Sequence, residues 1–160
     1  MARPIDFTPK RNQFMNQRAL KTCVFYCSNN LAADQFASLC HDLEGDTIKT
    51  ISLPCSGKVD VPYLIKAFET GADGVAIVTC QKNECRHFEG NLRAHKRAEA
   101  VESLLEEIGL PAGRMAVFEC GQQGAGQVIG EIKQFIERVR NLPPSRVRSG
   151  AANKQESTVA

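Results

Sequence analysis

Four short runs of β-forming residues, each closing on or next to a cysteine and each followed by residues at helical spacing, limit most strongly how this chain can fold. The first run, residues 21–26, leads to Cys27. Behind it, Phe36, Leu39, Cys40 and Leu43 recur at helical spacing over residues 31–43, with Gly45 as a stop. Residues 48–53 form a second run that leads to Cys55, and Asp60-Val61-Pro62 then opens a helix whose Val61, Leu64, Ile65 and Phe68 share one face as far as Gly71. The third run, Gly74-Val75-Ala76-Ile77-Val78-Thr79, ends at Cys80, and a second thiol, Cys85, follows in the next loop. Asn91 is a candidate N-cap for the longest helix, in which Ala94, Ala98, Val101, Leu105 and Ile108 recur by fours and threes up to Gly109. Residues 114–119 supply a fourth strand ending beside Cys120, and Val128, Ile129, Ile132, Ile136 and Val139 line a last helix that stops before Pro143-Pro144.

The order βαβαβαβα with short connections implies an α/β domain: a four-stranded parallel sheet, flavodoxin-like or Rossmann-like, with right-handed crossovers. In such a sheet the carboxyl ends of all strands lie along one edge, where ligands bind at the point at which strand order reverses. That edge would carry Cys27, Cys55, Cys80 and Cys120, with Cys85 in a loop beside them. The sequence divides into an arm over residues 1–20 without apolar periodicity, the α/β domain over residues 21–142, and a polar tail over residues 143–160 too poor in apolar residues to offset the cost of ordering it.

With 160 residues, 42% of them hydrophobic, and a formal net charge of +2, the chain suits one domain with a real core. No apolar run approaches the ~18 residues of a membrane span, and no apolar stretch follows the basic start as in a secretion signal, so a cytoplasmic protein without membrane insertion is expected. The near-neutral charge gives no support to nucleic-acid binding. In a reducing compartment seven cysteines are ligands, catalytic thiols or buried hydrophobes rather than a disulfide framework.

Several thiolates at one edge suit soft metals: an iron–sulfur cluster or a zinc ion each take four such ligands. The C-x4-C spacing of Cys80 and Cys85 serves either, and the competing reading is that strand-end cysteines are small buried hydrophobes. Cys23, inside the first strand, and Cys40, on the first helix's apolar face, belong to the core. His87 and His95 could complete a metal site, but His95 shares its helix with Arg93, Lys96 and Arg97, a solvated basic face, and His41 lies near a helix end. The glycines of Gly121-Gln122-Gln123-Gly124-Ala125-Gly126 follow the last strand rather than the first, which is not the dinucleotide fingerprint. Neither a Walker motif nor a Ser, His and Asp arrangement is present.

The stretch Cys55-Ser56-Gly57-Lys58-Val59-Asp60, then Lys66-Ala67-Phe68, Gly71-Ala72-Asp73-Gly74-Val75, Cys80 and Cys85, Glu89-Gly90-Asn91 and Arg97 resembles the delta subunit of methyl-viologen-reducing hydrogenase, the hydrogenase iron–sulfur subunit family, over residues 21–142. The resemblance implies a small electron-transfer protein holding a [2Fe–2S] cluster within a larger redox complex with hydrogenase, heterodisulfide-reductase-like or methylenetetrahydrofolate-reductase-like partners, without a substrate site of its own and beside a partner subunit that contains flavin or iron–sulfur centres. It implies Cys27, Cys55, Cys80 and Cys85 as ligands. Where the family ends its first strand with C-x2-C, Cys27 is followed by Ser28-Asn29-Asn30, so Asn30 stands in place of a second thiol and Cys120 is a candidate replacement. The same departure leaves open a zinc-bound or metal-free, thiol-bearing interaction subunit of a flavoenzyme complex. Lys58, Lys82, Arg86, Arg93, Lys96 and Arg97, set against Glu84 and Glu89, are expected to form a basic docking rim around the thiols.

Overall fold

A computed structural model describes residues 18–36, 41, 43, 45–121 and 124–145. Four strands, β1 (Lys21–Cys27), β2 (Thr47–Leu53), β3 (Gly74–Cys80) and β4 (Met115–Cys120), pair in parallel in the order β2-β1-β3-β4. Among the described residues three α-helices pack on them: α1 (Val61–Glu69), α2 (Gly90–Glu107) and α3 (Ala125–Arg140). This is the expected α/β architecture. All seven residues of β3 are buried, as a continuous apolar strand in a sheet covered on both faces should be. β2, at the edge, has no fully buried residue.

Alternation along the strands divides the core in two. Val24, Tyr26, Ala76, Val78 and Phe118 meet α3 through Val128, Ile132, Phe135 and Ile136, with Leu31 and Phe36 filling in from the β1–β2 connection. Cys23, Phe25, Val75, Ile77 and Met115 meet α1 and α2 through Leu64, Phe68, Ala94, Ala98, Val101 and Leu105. Of the helix expected over 31–43, a 3-10 turn at Ala33–Phe36 is described. The remainder, including Cys40, falls largely outside the described residues. The same is true of most of the expected arm and tail. Leu20, at the arm's inner end, is fully buried, and so nearly is Ser145 at the start of the tail.

Local signals set the helix ends. Asp60 Oδ1 accepts from Val61 N at 2.9 Å, Pro62 sits in the first turn, and α1 is closed by Gly71 at φ +93°, a left-handed position. Two expectations for α2 need correction. The helix starts at Gly90, with Glu89 at the capping position, so Asn91 is not the cap. Its side chain turns inward, 2% exposed, and donates to Cys80 O at 3.4 Å and Gln81 O at 3.2 Å. Ile108 follows the last helical residue and is 68% exposed rather than part of the core face.

The edge where the strands begin is sealed by charge. Arg114, 1% exposed, donates to Asp73 O at 2.7 Å and to Pro143 O, while Asp73 Oδ2 accepts from Lys21 N at 3.0 Å. Arg140 pairs with Asp46 and donates to Arg18 O at 2.8 Å, and Asp46 Oδ1 accepts from Leu20 N at 2.9 Å. Buried charges persist only when paired and hydrogen-bonded.

Candidate functional site

Strand order reverses between β1 and β3, and these strands end in Cys27 and Cys80. The two thiols are almost completely buried, with Sγ atoms 3.7 Å apart. Burial, followed by the neighbouring Cys27, pushes the Cys80 thiol up to about 12. The turn after β1 is tied to the end of β2 by Asn29, whose Nδ2 donates to Pro54 O at 2.7 Å and lies 3.8 Å from Cys27 Sγ. Asn30 donates to Cys120 O and so joins β1's turn to the end of β4.

A second pair is held by loops. Cys55 caps a 3-10 turn at Ser56–Lys58, its Sγ accepting from Gly57 N at 3.4 Å. Arg97 reaches across from α2 and donates to Gly57 O at 2.7 Å and Val59 O at 2.5 Å, with Asp60 Oδ1 3.5 Å from its Nε. Cys85 lies in the loop between β3 and α2, and its Sγ and that of Cys55 both face Gly90. Burial raises the Cys85 thiol, but the backbone N–H groups of His87, Asn91 and Gly90 outweigh it and hold the thiol below its ordinary value. Cys55 is raised, chiefly by burial.

Space around this second pair has been cleared by two glycines. A Cβ on Gly90 would run into Cys55 Sγ and come within 3.1 Å of Cys85 Sγ, and one on Gly57 would stand 2.7 Å from Gly90 Cα. Neither glycine has a left-handed φ, so the requirement is one of close approach.

The four thiols form one electrostatic group, because Cys80 is raised by Cys27, Cys85 and Cys55 together. Cys120, though in register with Cys80, is not gathered with them. It is buried on the α3 face, its Sγ donates to Gly121 O at 3.4 Å, and the charges that raise it after burial are Glu131 and Glu84. The replacement role considered for Cys120 therefore finds no geometric support. Cys23 is buried in the α1 and α2 half of the core, as expected. His87 contributes its backbone N–H at Cys85, His95 Nε2 pairs with Glu119 Oε1 at 3.3 Å, and His41 is exposed. Among the described residues no three His, Cys, Asp or Glu side chains converge as they would around a single metal ion. The arrangement is two pairs.

Arg97 and Asn91 hold the site's backbone, and both depart from expectation: Arg97 is not part of a free basic face, and Asn91 is not a cap. The sequence carries a signal for each. Asn91 and Arg97 fall on the stripe that contains Ala94, Ala98 and Val101, and a polar residue there must find buried partners. Arg93, by contrast, is exposed and loosely paired with Glu89 at 3.9 Å.

A family model for the delta subunit of methyl-viologen-reducing hydrogenase matches residues 22–143. Similar curated proteins include the vhu iron–sulfur subunit of the F420-non-reducing hydrogenase of Methanocaldococcus jannaschii, 33% identical over 103 residues that make up 64% of this chain and 77% of the relative. The iron–sulfur subunit of the F420-non-reducing hydrogenase of Archaeoglobus profundus is 32% identical over 114 residues, 71% of this chain and 82% of the relative. A longer protein, from the ferredoxin/F420H2-dependent CoB-CoM heterodisulfide reductase of Methanosarcina acetivorans, is 28% identical over 127 residues, which are 75% of this chain but only 16% of that one.

Proposed function

The chain belongs to the methyl-viologen-reducing hydrogenase delta subunit family, and from that premise we propose that it is the electron-transfer subunit of a larger redox complex, holding a [2Fe–2S] cluster through Cys27, Cys55, Cys80 and Cys85. The observation that carries the reading is the pairing of the thiols. A binuclear cluster needs two tetrahedral irons, each with two protein thiolates. Two sulfurs on one tetrahedral metal with bonds of ~2.3 Å lie ~3.8 Å apart, close to the 3.7 Å between Cys27 and Cys80. The glycine cradle at Cys55 and Cys85 and the N–H groups aimed at Cys85 suit thiolates carrying negative charge. The cluster would supply one-electron chemistry. The protein's part is to keep its sulfurs dry and correctly spaced and to bring no substrate site of its own.

The relatives are subunits of hydrogenases and of a heterodisulfide reductase, which supports a protein redox partner; that this partner carries flavin or iron–sulfur centres is part of the proposal. Among the described residues no helix is long and apolar enough to cross a membrane; a cytoplasmic setting is likewise part of the proposal. A second reading, a zinc-bound or metal-free interaction subunit, is favoured by one observation. Asn30 stands where the resembled pattern has a cysteine, and its amide is engaged with Cys120 O. Anaerobic purification separates the two readings. The cluster-bearing protein is brown, contains iron and acid-labile sulfide in equal amounts, and gives an electron paramagnetic resonance signal on one-electron reduction. A colourless preparation with zinc, or with neither metal, after anaerobic reconstitution with iron and sulfide would overturn the cluster.

A further inference from the structure

The crossovers from β2 to β3 and from β3 to β4 both step away from β2, so α1 and α2 lie over the middle of the sheet and leave the edge strand's face open. What remains is a groove of about 750 Å³ between β1, β2 and α1. Phe25, Ile51 and Leu53 line it, with Tyr63, 65% exposed, on the α1 side. Lys21, Lys49, Lys58 and Lys66 also line it, and the described lining residues include no Asp or Glu. Four cations around one apolar groove, three of them with no acid in ion-pairing reach among the described residues, are a marked asymmetry in a chain whose whole net charge is +2. Among the described residues the fourth, Lys66, reaches an acid, Glu69, at 3.1 Å, outside the lining. One end of the groove, at Pro54 and Lys58, abuts the turn that Cys55 caps.

We propose that this groove is the docking site for an acidic amphipathic segment of a partner protein, with its apolar side chains on the sheet face and its carboxylates against the lysines. Charge decides between occupants. Residues 1–17 carry Arg3, Lys10 and Arg11 against Asp6, and residues 146–160 carry Arg146, Arg148 and Lys154 against Glu156, so both ends of this chain are repelled. A second copy docked through the same groove across a two-fold axis would bring eight lysines together. An acidic partner gains from both components of the surface: the apolar floor holds it and the cations speed its arrival. Seated there, it touches the segment that positions Cys55.

The test is photo-crosslinking in the host cell, within whatever complex the full chain forms, with benzoylphenylalanine placed at Tyr63 in the groove or at exposed Gln134 on α3. The expected result is a cross-link from position 63, and none from 134, to a segment of another protein that mass spectrometry shows to be rich in Asp and Glu with apolar residues at helical or strand spacing. In the background of Lys49→Glu with Lys66→Glu, both outside the thiol site, that product should fall about tenfold, while thermal melting and bound iron match the parent protein. Cross-links from position 63 to a second copy, to this chain's own ends, or to a segment without acidic excess would overturn the proposal. So would an undiminished product in the charge-reversed background, or no product at 63 when the complex demonstrably forms.

Discussion

At the edge where the strands begin, Arg114 donates to Asp73 O and Pro143 O and Arg140 pairs with Asp46, whereas at the edge where they end, four thiols meet in two pairs. The first set is mostly satisfied by its own members, Arg140 by Asp46 and Arg114 by two backbone carbonyls, with Arg114 Nε left without a hydrogen bond. The second is built from sulfurs, weak hydrogen-bonding groups, and backbone N–H groups are aimed at Cys55 and Cys85 from the surrounding turns. Bonds at one edge satisfy the fold, while those at the other prepare sulfur to carry negative charge. Stability and ligation should therefore respond separately to substitution.

The largest effect that would sharpen this contrast is loss of the proposed cluster. Cys80→Ser should reduce bound iron and charge-transfer absorption to background, because oxygen is a poorer ligand than thiolate for a soft site. The melting temperature of the metal-free protein should change little. Retention of most of the iron would break the assignment of Cys80 to the ligand set. Next comes Arg114→Met, which removes the fully buried cation beside Asp73 and leaves Arg18 as the cation there. It should cost about 3 kcal/mol in urea unfolding while the metal content per folded molecule is unchanged. A loss under ~1 kcal/mol, the scale of an exposed pair, would show that the amino-terminal edge is not the firm one.

Within the carboxyl-terminal edge, the two thiol pairs should differ in reactivity once metal is removed. Iodoacetamide attacks thiolates, so Cys85, held below its ordinary value, should be alkylated first between about pH 7 and pH 9, with Cys80, pushed up to about 12, protected. The same shifts set how stability depends on pH. Cys80, raised on folding, and Cys23, raised to about 11 mainly by burial, contribute stability that is complete below about pH 9 and lost as pH climbs toward 11–12. Cys85, lowered on folding, acts in the opposite sense: its contribution is present above about pH 9 and lost as pH falls through its folded value. Chemical denaturation of the metal-free protein across pH 8–12, with peptide mapping of the alkylated sites, checks both. Equal alkylation of Cys80 and Cys85 at pH 8 would erase the distinction between strand-held and loop-held thiols.

The smallest effect is expected at Arg97. Replacing it with Met removes two hydrogen bonds to Gly57 O and Val59 O. That should cost about 1–2 kcal/mol and accelerate hydrogen exchange in residues 56–59, leaving exchange in β3 unchanged. A response as large in β3 would mean the turn and the strand form one cooperative unit.

The strands and helices were legible because their apolar periods are strong. The run that became β3 read as a strand, and Ala94, Ala98, Val101 and Leu105 fixed the buried side of α2. The gathering of Cys27, Cys55, Cys80 and Cys85 at one edge followed from parallel topology alone. How they pair did not, for it depends on geometry where strands give way to turns: Tyr26 is in register with Val78, one position short of Cys27, so the strand ladder itself does not set Cys27 against Cys80. Cys120 illustrates the same limit. It occupies a strand end and matches Cys80 in register, but its thiol belongs to the other half of the core. The lysine groove was invisible for another reason. Its cations come from positions 21, 49, 58 and 66, and only strand order brings them together.

The meeting of Gly57 and Gly90 has a consequence in the time domain. Side-chain contacts relax by rotamer exchange in picoseconds to nanoseconds, whereas displacement of a loop's main chain is slower. The turn capped by Cys55 and the start of α2 beside Cys85 touch through main-chain atoms, with no rotatable side chain between them. An electron arriving at the proposed centre would then find N–H dipoles that are already oriented and have little freedom to follow it, so the surroundings would contribute little nuclear rearrangement to the transfer.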